Sequence, residues 1–252
     1  MNQFELNKQI EQFILKKDKA SESFSIEDKK FIAAYSGSGG QGSKGATGEG
    51  VLYEFFTPDY ICELMWGLAY RFGFKASGTV LEPSCATGNL LANAPDKSKC
   101  YGFEINPTSR RIAQILYPEA KIYDGYFETA FLQEPRFTQR LKDKPTWLEG
   151  YPFSLVIGNP PYGKYKNKYS SYFSKPKMHQ IELFFMYYGL QLLKPGGLMV
   201  YLTGSNFLRN GITYQTEKAE LEKVCDILDA YRLPPVFKFS QVPTDIIVLK
   251  RK

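Results

Sequence analysis

Three short apolar runs each end on an acid: Thr79-Val80-Leu81-Glu82, Cys100-Tyr101-Gly102-Phe103-Glu104 and Ala120-Lys121-Ile122-Tyr123-Asp124. Segments with helical character lie between them. Strands alternating with helices in this way build a doubly wound sheet. We therefore expect an α/β chain with a mostly parallel, seven-stranded, Rossmann-like sheet. In open α/β sheets ligands bind beyond the carboxyl ends of the strands, so here the ligand edge is acidic. Acids at that edge disfavour a phosphate-rich cofactor and favour an adenosine that carries a cation.

The first run opens into Pro83-Ser84-Cys85-Ala86-Thr87-Gly88-Asn89, a turn poor in side chains before a helix. Such a turn lets backbone approach a ligand closely. It is not G-x-G-x-x-G, since Ala86 stands at a glycine position, so a dinucleotide oxidoreductase is the weakest reading. Glu104 follows Glu82 by 22 residues and ends the second strand. An acid so placed holds ribose hydroxyls in nucleoside-binding folds.

A fourth apolar strand, Phe153-Ser154-Leu155-Val156, runs out into Ile157-Gly158-Asn159-Pro160-Pro161-Tyr162. The prolines hold φ near −65° and remove two N–H donors, and Asn159, preceding a proline, is pushed towards extended backbone. The result is a stiff loop offering an amide, bare carbonyls and a ring. That set suits a planar substrate with an –NH2 group: the Asn159 oxygen and a carbonyl accept its hydrogens while Tyr162 stacks on its face.

Around this core, residues 1–35 read as a helical arm and residues 36–50 as a glycine-rich linker or lid, leaving 51–252 as the main domain. Lys44 does not complete a P-loop spacing. Ser25 with Asp28 caps the second arm helix, and Thr57 with Pro58 starts a helix over about 59–72 whose inner face is Ile61, Leu64, Met65, Leu68 and Ala69. The polar stretch 129–152 is an excursion from the sheet. Residues 181–193 form an apolar helix stopped by Lys194-Pro195-Gly196-Gly197. Between Gly163 and Gln180, lysines including Lys164, Lys166 and Lys168 alternate with Tyr165, Tyr169, Tyr172 and Phe173. This pattern suits phosphates plus exposed bases. Net charge is +6, compatible with a nucleic-acid partner. Four scattered cysteines and a single histidine argue against a zinc site and for a reduced, cytoplasmic protein; no metal and no membrane partner are expected.

These residues resemble the S-adenosylmethionine-dependent adenine-N6 DNA methyltransferases. The order along the chain, Phe56-Thr57-Pro58, then the Glu82-to-Leu90 turn, then Asn159-Pro160-Pro161-Tyr162, is similar to the gamma group. The resemblance implies the class I methyltransferase fold, S-adenosylmethionine as cofactor and DNA as partner. It also implies roles for individual residues. Thr57 and the turn residues Glu82, Pro83, Ser84, Ala86 and Gly88 would hold the methionine end. Glu104 would take the ribose, Ile105 would pack on the cofactor adenine, and Asp124 would accept from its amino group, with Phe185 beside the cofactor. Asn159, Pro160, Pro161 and Tyr162 would form the catalytic loop; Tyr162 and Phe237 (or Phe239) would sandwich a flipped adenine, and Lys164, Lys166 and Lys168 would meet the DNA backbone. Many relatives have Asp and Gly where this chain has Glu82 and Ala86.

No segment resembles a target-recognition domain, so specificity is expected from 129–152, from 163–180 or from a separate specificity or restriction subunit, or is expected to be slight. Residues 35–40 also look like a segment preceding the methylase part of large phage or mobile-element helicase–methylase proteins. Restriction-modification or mobile-DNA modification is the implied setting. The same loop would also serve a protein-glutamine methyltransferase acting on release factors or an RNA adenine methyltransferase. A non-catalytic DNA-binding subunit is the reading from a different class.

Overall fold

A computed structural model describes residues 2–37, 55–132, 152–173, 175–205, 207–208, 214–237 and 243–252. Seven strands form one sheet: β1 Val80–Glu82, β2 Cys100–Glu104, β3 Lys121–Asp124, β4 Phe153–Gly158, β5 Leu193–Gly204, β6 Cys225–Leu233 and β7 Thr244–Arg251. Their spatial order is β3-β2-β1-β4-β5-β7-β6. The first five run parallel, and β7 lies antiparallel between β5 and β6. The order reverses at β1, which pairs with β2 on one side and β4 on the other. That switch point is where a ligand crevice opens in such sheets, and it sets Glu82 and Asn159 at the ends of adjacent strands.

Both faces of the sheet are covered, which is why its central strands are apolar throughout. Helix α3, Asp59–Arg71, packs Ile61, Met65 and Trp66 on one face, joined by Leu90 and Leu91 of the short helix α4, Asn89–Ala92. The other face carries α6, Ile181–Gln191, whose Phe184, Phe185 and Met186 meet Phe103, Phe127 and Tyr201. Helix α7, Gln215–Val224, leads into β6. Between β2 and β3 runs α5, Pro107–Leu116, with Asn106 capping its first turn through bonds from the Thr108 and Ser109 N–H groups.

The arm consists of α1, Gln3–Lys19, and α2, Ile26–Ile32, each opened by a reciprocal capping box, Asn2 with Glu5 and Ser25 with Asp28. Ile10, Ile14, Ile32 and Tyr35 pack on Ile112 and Ile115 of α5. Asp18 accepts two bonds from the Arg111 guanidinium, at 2.9 and 2.6 Å.

Several local expectations are corrected. Leu64 of α3 is 42% exposed, while Cys62 and Trp66 take inner positions. Ile61, Met65, Leu68 and Ala69 are buried as expected, and the Trp66 indole N–H donates to the Leu90 carbonyl at 2.7 Å. Pro58, without a side-chain cap, precedes α3, so the Thr57 hydroxyl does not cap it. Helix α6 ends at Gln191, and Lys194-Pro195-Gly196-Gly197 falls inside β5, where the β4 register shifts to absorb it. No helix among the described residues is long and apolar enough to cross a membrane. Most of the glycine-rich segment, most of 129–152, and Phe239 lie outside the described residues.

Candidate active site

At the end of β4 the Asn159 side chain is held from both sides. Its Nδ2 donates to the Phe55 carbonyl at 2.9 Å, and its Oδ1 accepts from the Tyr162 hydroxyl at 2.6 Å. A carbonyl can only accept, so the amide has one orientation, with its oxygen on the Tyr162 side and a second lone pair still available there. The Tyr162 hydroxyl also lies 3.5 Å from the Leu202 carbonyl. Burial, with Glu182 adding to it, pushes the Tyr162 hydroxyl well above its ordinary pKa, so it stays a neutral donor. Its ring remains partly open, while Pro160 is buried. The Ser84 hydroxyl reaches the Asn159 carbonyl at 3.4 Å, tying this loop to the turn after β1.

That turn is shaped by backbone. Ala86 and Gly88 adopt φ of +46° and +86°. Gly88 has no alternative, because a Cβ there would meet the Tyr117 ring at 2.8 Å. Ala86 occupies the same left-handed region with a Cβ, at a steric cost of about 1–2 kcal/mol. The turn is clamped to β2: the Cys85 N–H donates to the Phe103 carbonyl at 2.9 Å, and the Ala86 N–H donates to Glu104 at 2.8 Å. The second Glu104 oxygen accepts from the Asn106 N–H at 2.6 Å. Glu104 therefore orients both the turn and the start of α5, in addition to any ligand it meets.

Glu82, at the end of β1, is 3% exposed, and its Oε2 has no hydrogen-bond partner among the described residues. Burial first, and Glu104 second, push its carboxyl well above the ordinary range. Asp124 forms an ion pair with Arg110 of α5. Ile105 is 37% exposed between the two acids of β2 and β3, open to a planar ligand. Phe185 is buried behind this edge against Phe127, at 5.2 Å between ring centroids. An orphaned buried carboxyl oxygen beside a side-chain-poor turn, with a ribose-type acid one strand away, fits S-adenosylmethionine, whose methionine end is cationic.

Phe237 is buried and tilted against Phe55 at 5.0 Å. Both rings line a cavity of about 780 Å³ together with Thr57, Asp59, Thr87, Asn89 and the arm residues Tyr35 and Ser36. Thr57 is buried there, its carbonyl accepting from Asn89 Nδ2 at 3.1 Å. Asn159 and Glu104 do not line this cavity.

Lys164, Lys166 and Lys168 are exposed on the loop after Tyr162. The rings between them behave otherwise than expected. Tyr165 stacks on Phe184 at 4.1 Å, and Tyr169 and Phe173 join the same core; Tyr172, at 49% exposure, faces out. The loop needs these anchors because it has little regular structure of its own. Lys168 sits over the Tyr126 and Tyr169 rings, 5.0 Å from each centroid.

Residues 98–233 match the model of the Eco57I restriction-modification methylases. The chain belongs to that family. It is 28% identical over 230 residues to the defense against restriction protein B of Escherichia phage P1, an alignment covering 90% of this chain and 9% of that protein. It is 27% identical over 111 residues to the modification methylase CviBIII of Paramecium bursaria Chlorella virus NC1A, covering 43% and 25% of the two chains. The chain thus spans a quarter or less of the length of these relatives. Among solved structures, the type I restriction-modification methyltransferase subunit of Streptococcus thermophilus superposes with a TM-score of 0.60 at 21% identity, over 79% of this chain and 45% of that one. The fold is that of the class I methyltransferases, and S-adenosylmethionine is the cofactor expected of the family.

Phe55, Asn89 and Arg110 contribute to the site without having been singled out in the sequence. Phe55 and Arg110 act through tertiary contacts that no local pattern signals. Asn89, the residue after Gly88, sits where a helix start offers its side chain to a neighbouring segment.

Proposed function

We propose that this chain methylates the exocyclic N6 amine of an adenine flipped out of DNA, within restriction-modification or the modification of mobile DNA. The observation that carries the reading is the fixed orientation of the Asn159 amide, whose nitrogen donates to the Phe55 carbonyl and whose oxygen lies beside the Tyr162 hydroxyl. S-adenosylmethionine, when bound, supplies a methyl group on a sulfonium. The protein's part is positioning. Asn159 Oδ1 and the Pro160 carbonyl accept the two amine hydrogens, drawing the nitrogen towards tetrahedral geometry and aiming its lone pair. Transfer is then a direct in-line displacement in which orientation supplies most of the acceleration. No general base of shifted pKa is required, since the methylated nitrogen loses its proton readily to water.

In this reading Tyr162 stacks on the base once it leaves the duplex, a step costing a few kcal/mol. Phe237 is the facing ring, and its contact with Phe55 opens to admit the base. Glu82 to Gly88 with Thr57 hold the methionine end, Glu104 the ribose, and Ile105 and Asp124 the adenine of the cofactor, Asp124 sharing Arg110. Phe185 backs the site. Exposed Lys164, Lys166 and Lys168 favour a nucleic acid over a protein glutamine as substrate. Residues 51–252 act as the methyltransferase domain in the cytoplasm, with a separate subunit able to supply sequence specificity.

The test is Asn159→Ala, assayed for labelled-methyl transfer to adenine-unmethylated DNA. Transfer falls by roughly a thousand-fold while cofactor affinity is unchanged. Normal turnover by that variant would sink the mechanism.

A further inference from the structure

The described residues bury four acids: Glu82, Glu128, Glu217 and Asp245. Three of them are given partners by the fold. Glu128 accepts from the Asn167 amide, Glu217 meets His179 Nδ1 at 2.7 Å, and Asp245 lies in an ion pair with Arg232. Glu82 differs, for its Oε2 is buried and has no hydrogen-bond partner among the described residues.

Among the described residues, the titratable groups near enough to interact electrostatically with it are Cys62 of α3, Cys85 of the turn, Cys100 and Glu104 of β2, Tyr117 at the end of α5 and Tyr201 of β5. None of these is a cation. Glu104 is stabilised as a carboxylate by two backbone N–H groups, so it repels a second negative charge. An ionised carboxylate buried without a donor or a positive neighbour is strongly disfavoured, and such a group takes up a proton instead. Burial and Glu104 act on Glu82 in that direction.

We propose that Glu82 is protonated in the free protein and releases its proton to solvent when the cationic methionine end of S-adenosylmethionine settles beside it, so that Glu82 selects for a positively charged ligand. This rests on the cofactor reading above and adds proton linkage to it. Glu82 is thereby left as a carboxylate paired with the incoming cation, and the proton passes to the buffer. Affinity for the cofactor accordingly rises with pH until the free protein has itself lost the proton. Adding charge only on binding also keeps the empty turn free of two adjacent carboxylate charges.

Titration calorimetry of the wild-type chain, near pH 6 in buffers of different ionisation enthalpy, reads the released protons directly. S-adenosylmethionine should release about one proton per molecule bound. 5′-Methylthioadenosine, a neutral ligand with the nucleoside but no methionine end, should release none. Glu82→Gln should bind S-adenosylmethionine with buffer-independent heat. Cofactor binding with the same heat in every buffer, or equal release with 5′-methylthioadenosine, would overturn the proposal while leaving the cofactor reading intact. Complete absence of cofactor binding by the wild-type chain would instead remove the cofactor reading, and the proposal with it.

Discussion

The two loops at the switch point solve opposite problems. The Asn-Pro-Pro-Tyr loop has its side-chain partners already in place: the Asn159 amide is oriented by the Phe55 carbonyl and the Tyr162 hydroxyl, and two prolines stiffen the backbone. The Glu82-to-Gly88 turn is incomplete, with a buried carboxyl oxygen lacking a partner among the described residues and an alanine in left-handed backbone. A loop that must aim a neutral amine gains from being rigid before substrate arrives. A turn that must receive a cation gains from a group that becomes satisfied only on binding. On the function proposed above, the difference separates positioning from recognition by charge.

The comparison can be broken first at Tyr162. Tyr162→Ala removes both the stacking ring and the Asn159 partner, and kcat/KM for DNA should drop roughly a hundred-fold. Tyr162→Phe keeps the ring and should lose only about fivefold. Equal losses in the two variants would mean that the hydroxyl, not the ring, carries the role.

Next is the loop that follows. Replacing Lys164, Lys166 and Lys168 together by alanine should flatten the salt dependence of DNA binding by roughly one unit of log–log slope per lysine. S-adenosylmethionine binding should not move. An unchanged slope would place the phosphate contacts elsewhere.

The turn is sharpened by pH. Because the folded pKa of Glu82 is raised from its ordinary 4.5, the stability it contributes is fully present below that value and is lost as pH rises towards the folded pKa. Thermal melts of the free protein from about pH 5 to pH 8 should therefore show Tm falling more steeply for wild type than for Glu82→Gln. Parallel curves would show that Glu82 titrates normally.

The smallest effect is expected from Ala86→Gly. Relief of the left-handed strain is largely offset by the extra freedom of glycine in the unfolded chain, leaving a gain of about 0.5 kcal/mol. A loss of stability would mean that the alanine methyl packs usefully.

What could be read from the residues alone was local and repetitive. Apolar runs ending in acids specified strands and their polarity, because a strand buried on both faces has few other compositions. The Ser25 cap and the loop after Ile157 were legible for the same reason, since each depends on neighbours within a few residues; the Asn2 capping box, equally local, was not singled out. Pairing was not legible. That Asp124 engages Arg110, that Glu104 clamps the Ala86 N–H, and that Phe55 orients Asn159 are consequences of segments brought together across the sheet. The aromatic side of the lysine-rich loop was misread for a related reason. Tyr165, Tyr169 and Phe173 look available in a polar stretch, yet the core beneath supplied Phe184 and its neighbours as partners. Residue order by itself determined a sheet with an acidic edge and an amide loop at the end of a strand; that this end lies at the switch point came from the strand order. Tertiary structure decided which acid received a partner and which, at Glu82, has an oxygen without one among the described residues, because a buried carboxyl is satisfied only by groups that distant segments bring to it.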